Sequence, residues 1–231
     1  MQTDLFLQVS IFDAFQKQNG MVAYTEFRDK LHPFGCFSIH QARTLFPLLD
    51  RNSLVRWTKR GYVIRLRQGW YAFPDMIAKM DFPRYVAGRI YSPSYISLHT
   101  ALSIYGMIPE AVTQITSVTT LKTAKFENAL GQYSYKTVKP QMFWGYKPME
   151  MRSADGQVGQ TWFLAHPEKA LLDLLYLYPF YNSEEELLQL RLDEDFMLEE
   201  LNKDRFEEYL LRFDNKALNA RVKKLKKIFD I

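Results

Sequence analysis

The stretch that most constrains the fold is residues 50–73, because its hydrophobic period changes from helical to extended at one glycine, Gly61. Asp50 is a favourable N-cap residue, since its carboxylate can accept from the free backbone N–H groups of a first helical turn. Gly61 suits the left-handed position that follows a helix. The sequence therefore predicts a short helix over residues 51–60.

At helical spacing this predicted helix has an apolar side and a cationic side. The apolar side contains Leu54, Trp57 and Thr58. The opposite side contains Asn52, Arg56 and Lys59, flanked by Val55 and Arg60. Such a helix packs against the protein core by its apolar side and exposes positive charge on the opposite side.

After Gly61 the residues alternate with a period of two, which indicates β-strands. Val63, Arg65 and Arg67 alternate with Ile64 and Leu66. A turn is predicted at Gln68 and Gly69, and the aromatic residues 70–73 form the returning strand. A helix followed by a basic hairpin is typical of a winged helix-turn-helix.

Residues 51–73 contain six basic residues and no acid. A B-form major groove admits one helix, arginine pairs bidentately with guanine, and asparagine pairs with adenine. The predicted DNA-contacting residues are Arg51, Asn52, Ser53, Arg56, Lys59, Arg60, Arg65, Arg67 and Gln68. The alternative is a solvated helix with an edge hairpin that its charges keep soluble.

The composition limits the number of domains and the kinds of site that the chain can have. The chain has 231 residues, 47% of them hydrophobic, which is enough for one large domain or two smaller ones. Its formal net charge of +4 is mild, so positive charge matters where it is concentrated. Cys36 is the single cysteine, which fits a reducing compartment, and Cys36 and His40 lack further metal ligands nearby. We expect a cytoplasmic protein without signal peptide, membrane span, metal or cofactor.

The order of predicted elements suggests an α+β protein with two domains. Residues 1–75 form an N-terminal winged helix-turn-helix, with helices over residues 4–18, 25–31 and 39–46 before the helix at 51–60. Residues 76–231 form a mixed α/β domain. It opens with a helix from Ser92 and Pro93 to Gly106. Strands follow over residues 115–120, 125–130, 132–138, 141–146 and 160–165.

A nearly all-apolar helix is predicted to start at Pro167 and Glu168, and Asp173 within it must be paired, exposed at an edge, or functional. From residue 182 the composition shifts to a helical tail. Its helices are expected near residues 184–190, 203–213 and 216–229.

Five blocks in order carry a family resemblance: GYVIRLRQGWYAF, SPSYISLHTALSIYGMIPE, ITSVTT, KFENALGQYSYKTVKPQMFWGY and AHPEKALLDLLYLYP. Together they resemble the AbiEi antitoxins of abortive-infection, type IV toxin–antitoxin systems, over roughly residues 50–179. The resemblance implies a transcriptional autoregulator whose winged helix binds inverted repeats in its own promoter, through the helix at 51–60 and the wing at 65–69. It also implies a C-terminal domain that counteracts a nucleotidyltransferase toxin. Both a monomer and a homodimer are compatible with the sequence.

Two other classes of protein remain open as alternatives. A metal-dependent nuclease-like enzyme could use Glu127, Asp155, Glu168 and Lys169, although no recognisable catalytic spacing accompanies them. A protein-interaction module could use the winged helix for protein contacts. The prediction is a regulator that is not an enzyme and has no catalytic residues.

Overall fold

The computed structural model describes residues 22–152 and 158–231 and shows a mixed α+β protein. The chain divides into two compact units. The first contains the described residues up to Val86, with 128–130 and the described part of 151–160; the second contains 87–127, 131–150 and 161–231. The predicted helix over residues 4–18 lies outside the described residues. The predicted division after Asp75 concerns independently folding domains and stays a prediction.

Between residues 22 and 73 the first unit forms three helices and a three-stranded antiparallel sheet. In chain order these are α1 (Tyr24–Leu31), β1 (Cys36–Ser38), α2 (Ile39–Leu45), α3 (Arg51–Lys59), β2 (Ile64–Arg67) and β3 (Trp70–Ala72). Single 3₁₀ turns occupy His32–Phe34 and Pro74–Ala78. The strand order is β1-β3-β2. The predicted helices at 25–31 and 39–46 are confirmed to within one residue.

Aromatic side chains form the core of the first unit. Phe27 of α1 is fully buried, with its ring centroid 4.7 Å from that of Trp57 and 5.3 Å from that of Phe37. Phe73 and Phe37 are also fully buried, with centroids 5.3 Å apart. Burial of each large aromatic ring is worth several kcal/mol, roughly 3–5 by truncation. The core therefore holds α3 by the apolar side that the sequence predicts.

The second unit combines a six-stranded sheet with helices. Its elements begin in α4 (Phe82–Ile90), which spans the division between the units. They continue as β4 (Ser94–Ile96), α5 (Leu98–Tyr105), β5 (Ile115–Thr119), β6 (Ala124–Asn128), β7 (Gly131–Thr137), β8 (Tyr146–Arg152) and β9 (Val158–Ala165). The helices that follow are α6 (Pro167–Leu177), α7 (Glu184–Leu188), α8 (Lys203–Phe213) and α9 (Lys216–Phe229), with a π-helical turn at Phe196–Glu200.

The sheet has the strand order β6-β7-β5-β4-β9-β8. β5 pairs in parallel with β7 and antiparallel with β4, and β4 pairs in parallel with β9. β5 is thus an interior strand, which its β-branched sequence predicts. The predicted hairpin of β6 and β7 is also confirmed.

Two sequence predictions in the second unit are wrong. Residues 94–96 form β4 instead of the first turn of a helix, because they are buried and pair with β5 on one side and β9 on the other. The helix starts only at Leu98. Residues 141–146 were predicted as a strand, but Pro140–Met142 forms a 3₁₀ turn and β8 starts at Tyr146. Proline fixes φ in the helical range and donates no hydrogen bond, so it favours the turn.

The helical tail follows its sequence signals closely. Ser183 caps α7 in a capping box with Glu186, in which each side chain bonds to the other's backbone N–H. Asn202 and Asn215 cap α8 and α9 by accepting from Arg205 and Leu218. The bounds of α8 and α9 agree with the predicted ranges. No described helix is both long and apolar enough to span a bilayer.

Candidate nucleic-acid interface

Helix α3 begins at Arg51 as the sequence predicts and ends at Lys59, one residue before the predicted end, but Asp50 acts differently from expectation. Asp50 has the extended backbone of an N-cap residue, yet its side chain accepts no capping hydrogen bond. Its carboxylate lies 3.9 Å from Nη1 of Arg56 instead, so the predicted carboxylate cap is wrong. The guanidinium of Arg56, six positions along the chain, attracts this carboxylate in competition with the cap.

Gly61 ends α3 through backbone hydrogen bonds. Its φ is +73°, and its N–H donates to the carbonyl of Thr58 at 3.1 Å. The N–H of Tyr62 reaches back to the carbonyl of Trp57 at 2.8 Å, which completes a Schellman motif. The predicted left-handed stop is confirmed.

The two sides of α3 separate as their sequence spacing predicts. Leu54 and Trp57 are buried at 1% and 0% exposure, whereas Val55 is 47% exposed. The polar residues at the exposed surface are Arg51, Asn52, Lys59 and Arg60. The hydrophobic core therefore orients the helix and leaves its cationic side to solvent.

Ser53 is the exception among the predicted DNA-contacting residues. It is buried, and its Oγ accepts a hydrogen bond from Nη2 of Arg56 at 2.9 Å. Ser53 and Arg56 are three positions apart, and residues at this spacing are neighbours on a helix surface. Ser53 thus lies outside the exposed surface and orients Arg56, which is half-buried.

The hairpin after α3 carries the remaining predicted contacts. β2 and β3 pair antiparallel, with Arg65 opposite Tyr71 and Arg67 opposite Trp70. The register shifts between the two arginines, so Leu66 is the extra residue of a β-bulge and is buried. Arg65 and Gln68 are exposed and Arg67 is half-exposed. Simple alternation in the sequence does not predict this bulge.

We call the predicted DNA-contacting residues other than Ser53 the cationic surface. Its members are Arg51, Asn52, Arg56, Lys59, Arg60, Arg65, Arg67 and Gln68. Arg51, Lys59 and Arg65 form no ion pair with any described residue. Their charges remain available to attract an anion such as a nucleic-acid phosphate.

The described residues considered for metal binding belong to no group of potential ligands. Cys36 is buried and His40 is exposed, while Glu127 is exposed on β6 and Asp155 lies outside the described residues. Glu168 is buried and accepts from the backbone N–H of Asn202 at 3.1 Å. Among the described residues there is no group of three potential His, Cys, Asp or Glu ligands.

Asp173 is paired in a buried polar cluster of the second unit, which is one of the three outcomes that the sequence predicts, but sequence reasoning did not predict its partners. Lys169 and Asp173, both fully buried on α6, form an ion pair. Asp173 Oδ2 also accepts from the hydroxyls of Tyr95 at 2.9 Å and Ser97 at 2.8 Å. Burial raises the pKa of Asp173 and lowers that of Lys169, and their mutual attraction opposes both changes. The available signal was opposite charges four positions apart in an otherwise apolar helix.

The comparisons with known proteins identify no relative of this chain. No protein-family model matches the chain, and no curated protein matches it.

Proposed function

We propose that the protein is a DNA-binding transcriptional autoregulator whose first unit is a winged helix-turn-helix. The observation that carries the proposal is the division of α3, whose apolar side lies in the aromatic core while its basic side is exposed beside a basic hairpin. The order α1-β1-α2-α3-β2-β3 and the antiparallel sheet β1-β3-β2 support it. α3 is the recognition helix and the β2–β3 hairpin is the wing.

The two elements perform different parts of the recognition. Asn52 and Arg56 on α3 can present amide and guanidinium groups to base edges in the major groove. Arg65 and Arg67 on the hairpin contact phosphates, which positions the protein without selecting sequence. Ser53 contributes indirectly, because its hydrogen bond restricts the orientation of Arg56.

The resemblance to AbiEi antitoxins extends the proposal to a second activity. The operator is then a pair of inverted repeats in the protein's own promoter, bound by a homodimer or by separate monomers. The second unit counteracts a nucleotidyltransferase toxin. The blocks from Ser92 to Pro179 support this assignment, since they occur in the same order as in that family.

A gel-shift titration with DNA from upstream of the protein's own gene tests DNA binding. We expect a discrete shift that a scrambled fragment does not compete away. The logarithm of affinity should fall with the logarithm of salt concentration with a slope of roughly −3 to −5, since each neutralised phosphate contributes about −0.9. A slope near zero would indicate a protein-interaction module, and magnesium-dependent cleavage of the fragment would indicate the nuclease alternative.

Neutralisation needs a separate test. The full chain and a variant with Arg51, Lys59 and Arg65 replaced by alanine are co-expressed with a nucleotidyltransferase encoded beside the protein's gene. Both should restore growth if the second unit carries the antitoxin activity, although only the unaltered chain represses the promoter. Failure of both to restore growth would reject the antitoxin assignment and leave the DNA-binding result intact. Gel filtration distinguishes monomer from homodimer.

A further inference from the structure

The second unit contains a cavity of about 470 Å³ whose role the proposed regulation leaves unassigned. Its walls come from α5, from the loop that leads into β5, and from the segments that follow α6 and α7. The polar and aromatic residues that line it include His99, Glu110, Gln114, Tyr178, Tyr181 and Gln189. The volume lies within the range of about 300–1,000 Å³ that small-molecule sites occupy.

Aromatic rings form part of the wall. The rings of His99 and Tyr178 meet edge to face, with centroids 5.6 Å apart, and Nε2 of His99 lies 3.5 Å from the Tyr181 hydroxyl. Burial lowers the pKa of His99, although the charge of Glu110 opposes the change, so the imidazole is neutral at neutral pH. Neutral aromatic walls favour a flat, apolar-faced ligand.

Hydrogen-bonding groups complete the lining. The side-chain amide of Gln189 and the hydroxyl of Tyr178 bond to no other described residue. The Gln114 amide makes only a long contact of 3.5 Å to Gln132. Each glutamine amide offers a donor and an acceptor side by side, which is the pattern that reads the edge of a nucleobase.

The charges around the cavity weigh against an ionic ligand. A carboxylate beside aromatic rings could attract an organic cation. However, Arg191 already pairs with Glu110 at 2.9 Å, and Lys136 Nζ lies 4.9 Å from the centre of the Tyr178 ring. Among the described residues no lysine or arginine side chain lines the cavity, so an anionic group would have to extend out of it. A neutral, planar ligand with an amide-like edge fits these conditions.

We infer that this cavity binds a nucleobase, through the amides of Gln114 and Gln189 and the hydroxyl of Tyr178, beside the aromatic rings of its wall. The base could belong to a free nucleoside or nucleotide, or to a single-stranded nucleic acid, since all present the same planar edge. This inference is independent of DNA binding by the first unit, because none of its residues belongs to the cationic surface.

Equilibrium dialysis of the full-length protein tests the inference. The probes are adenosine, guanosine, cytidine and uridine, then the monophosphate and a short homopolymer of the best-bound base, with choline as the cationic comparison. We expect saturable binding of at least one nucleoside at up to millimolar concentration and none of choline. Tighter binding of the monophosphate or of the homopolymer identifies the source of the base.

Two variants locate the site. Gln189→Leu should weaken binding roughly tenfold, as expected for loss of a two-point contact to a base, and Tyr178→Phe should weaken it several-fold. Gln141→Leu is the matched control, since Gln141 is an exposed glutamine of the same unit outside the cavity lining, and should bind normally. Circular dichroism confirms that each variant is folded. Absence of nucleoside binding, saturable choline binding, or unchanged affinity in both folded variants would overturn the inference.

Discussion

At the scale of single residues, Arg56 and Arg67 should contribute differently to DNA recognition. Arg56 lies on α3 with its guanidinium held by Ser53, whereas Arg67 lies in the hairpin. Arg56→Ala should cost about 1–3 kcal/mol on the preferred operator and relax sequence preference, because it removes a base-reading group. Arg67→Ala should weaken binding to all sequences alike and reduce the salt slope by about 1. Gel shifts on the operator and on scrambled DNA measure both effects.

Lys30→Ala provides the control for these variants. Lys30 is a lysine of the same unit on α1, paired with Glu26 at 3.2 Å and outside the cationic surface. Its replacement should leave DNA affinity and salt slope unchanged. If Arg56→Ala and Arg67→Ala lose equal affinity with unaltered preference, the assignment of base reading to α3 and phosphate contact to the hairpin is wrong.

The buried pair Lys169 and Asp173 gives a stability prediction at the same scale. Lys169→Met should lower the free energy of unfolding by about 3–5 kcal/mol, because it leaves a buried carboxylate without its counter-charge. Asp173→Leu should lower the free energy of unfolding by a similar amount, since it leaves Lys169 and the hydroxyls of Tyr95 and Ser97 without their buried partner. Urea unfolding followed by circular dichroism measures both changes. A loss below about 1 kcal/mol in either variant would show that the pair is dispensable.

At the scale of elements, glycine conformation sets the end of α3. A Cβ at Gly61 or at Gly88 would meet nothing within 4 Å, but only Gly61 has a positive φ. Gly61→Ala should therefore destabilise the protein by about 1–2 kcal/mol, the cost of a left-handed L-residue. Gly88→Ala, inside α4, should stabilise it by about 0.5–1 kcal/mol. Thermal unfolding compares the two variants, and a stabilised Gly61→Ala variant would refute the conformational argument.

Elements with their own local signals were predictable. α2, α8 and α9 each carry a side-chain cap at the N-terminus, and their apolar residues follow the helical period. β4 was not predictable, because a strand of three residues has too short a pattern and is stabilised by partners far along the chain. The β-bulge at Leu66 was not predictable for a different reason, since register is a property of two paired strands and is not contained in the alternation of one.

At the scale of the whole molecule, two histidines make stability depend on pH. Burial lowers the pKa of His99 and of His166 below the ordinary value of 6.5. The unfolded chain therefore takes up more protons than the folded protein as the pH falls through 6.5, so the stability present above that value is lost on acidification. Unfolding should need less urea at about pH 5 than at about pH 7.

A double variant, His99→Gln with His166→Gln, provides the comparison for this pH effect. Glutamine keeps hydrogen-bonding groups without a charge that titrates in this range. The difference in unfolding free energy between the two pH values should shrink in the variant. Greater stability of the unaltered protein at the lower pH would contradict the prediction.

The sequence by itself determined the helix at 51–59, its glycine stop, the basic hairpin and the tail helices, because caps, turns and hydrophobic periods act between residues close along the chain. Tertiary structure decided that Ser53 is buried against Arg56, that Leu66 bulges, and that Asp173 is paired with groups from β4 and α6. It also formed the cavity from segments more than 80 residues apart, such as His99 and Tyr181. The cavity and the hydrogen bonds of Asp173 to Tyr95 and Ser97 depend on which distant segments meet. The bulge at Leu66 depends on strand register, and the burial of Ser53 depends on how the core covers α3. Local periodicity contains no information about such contacts.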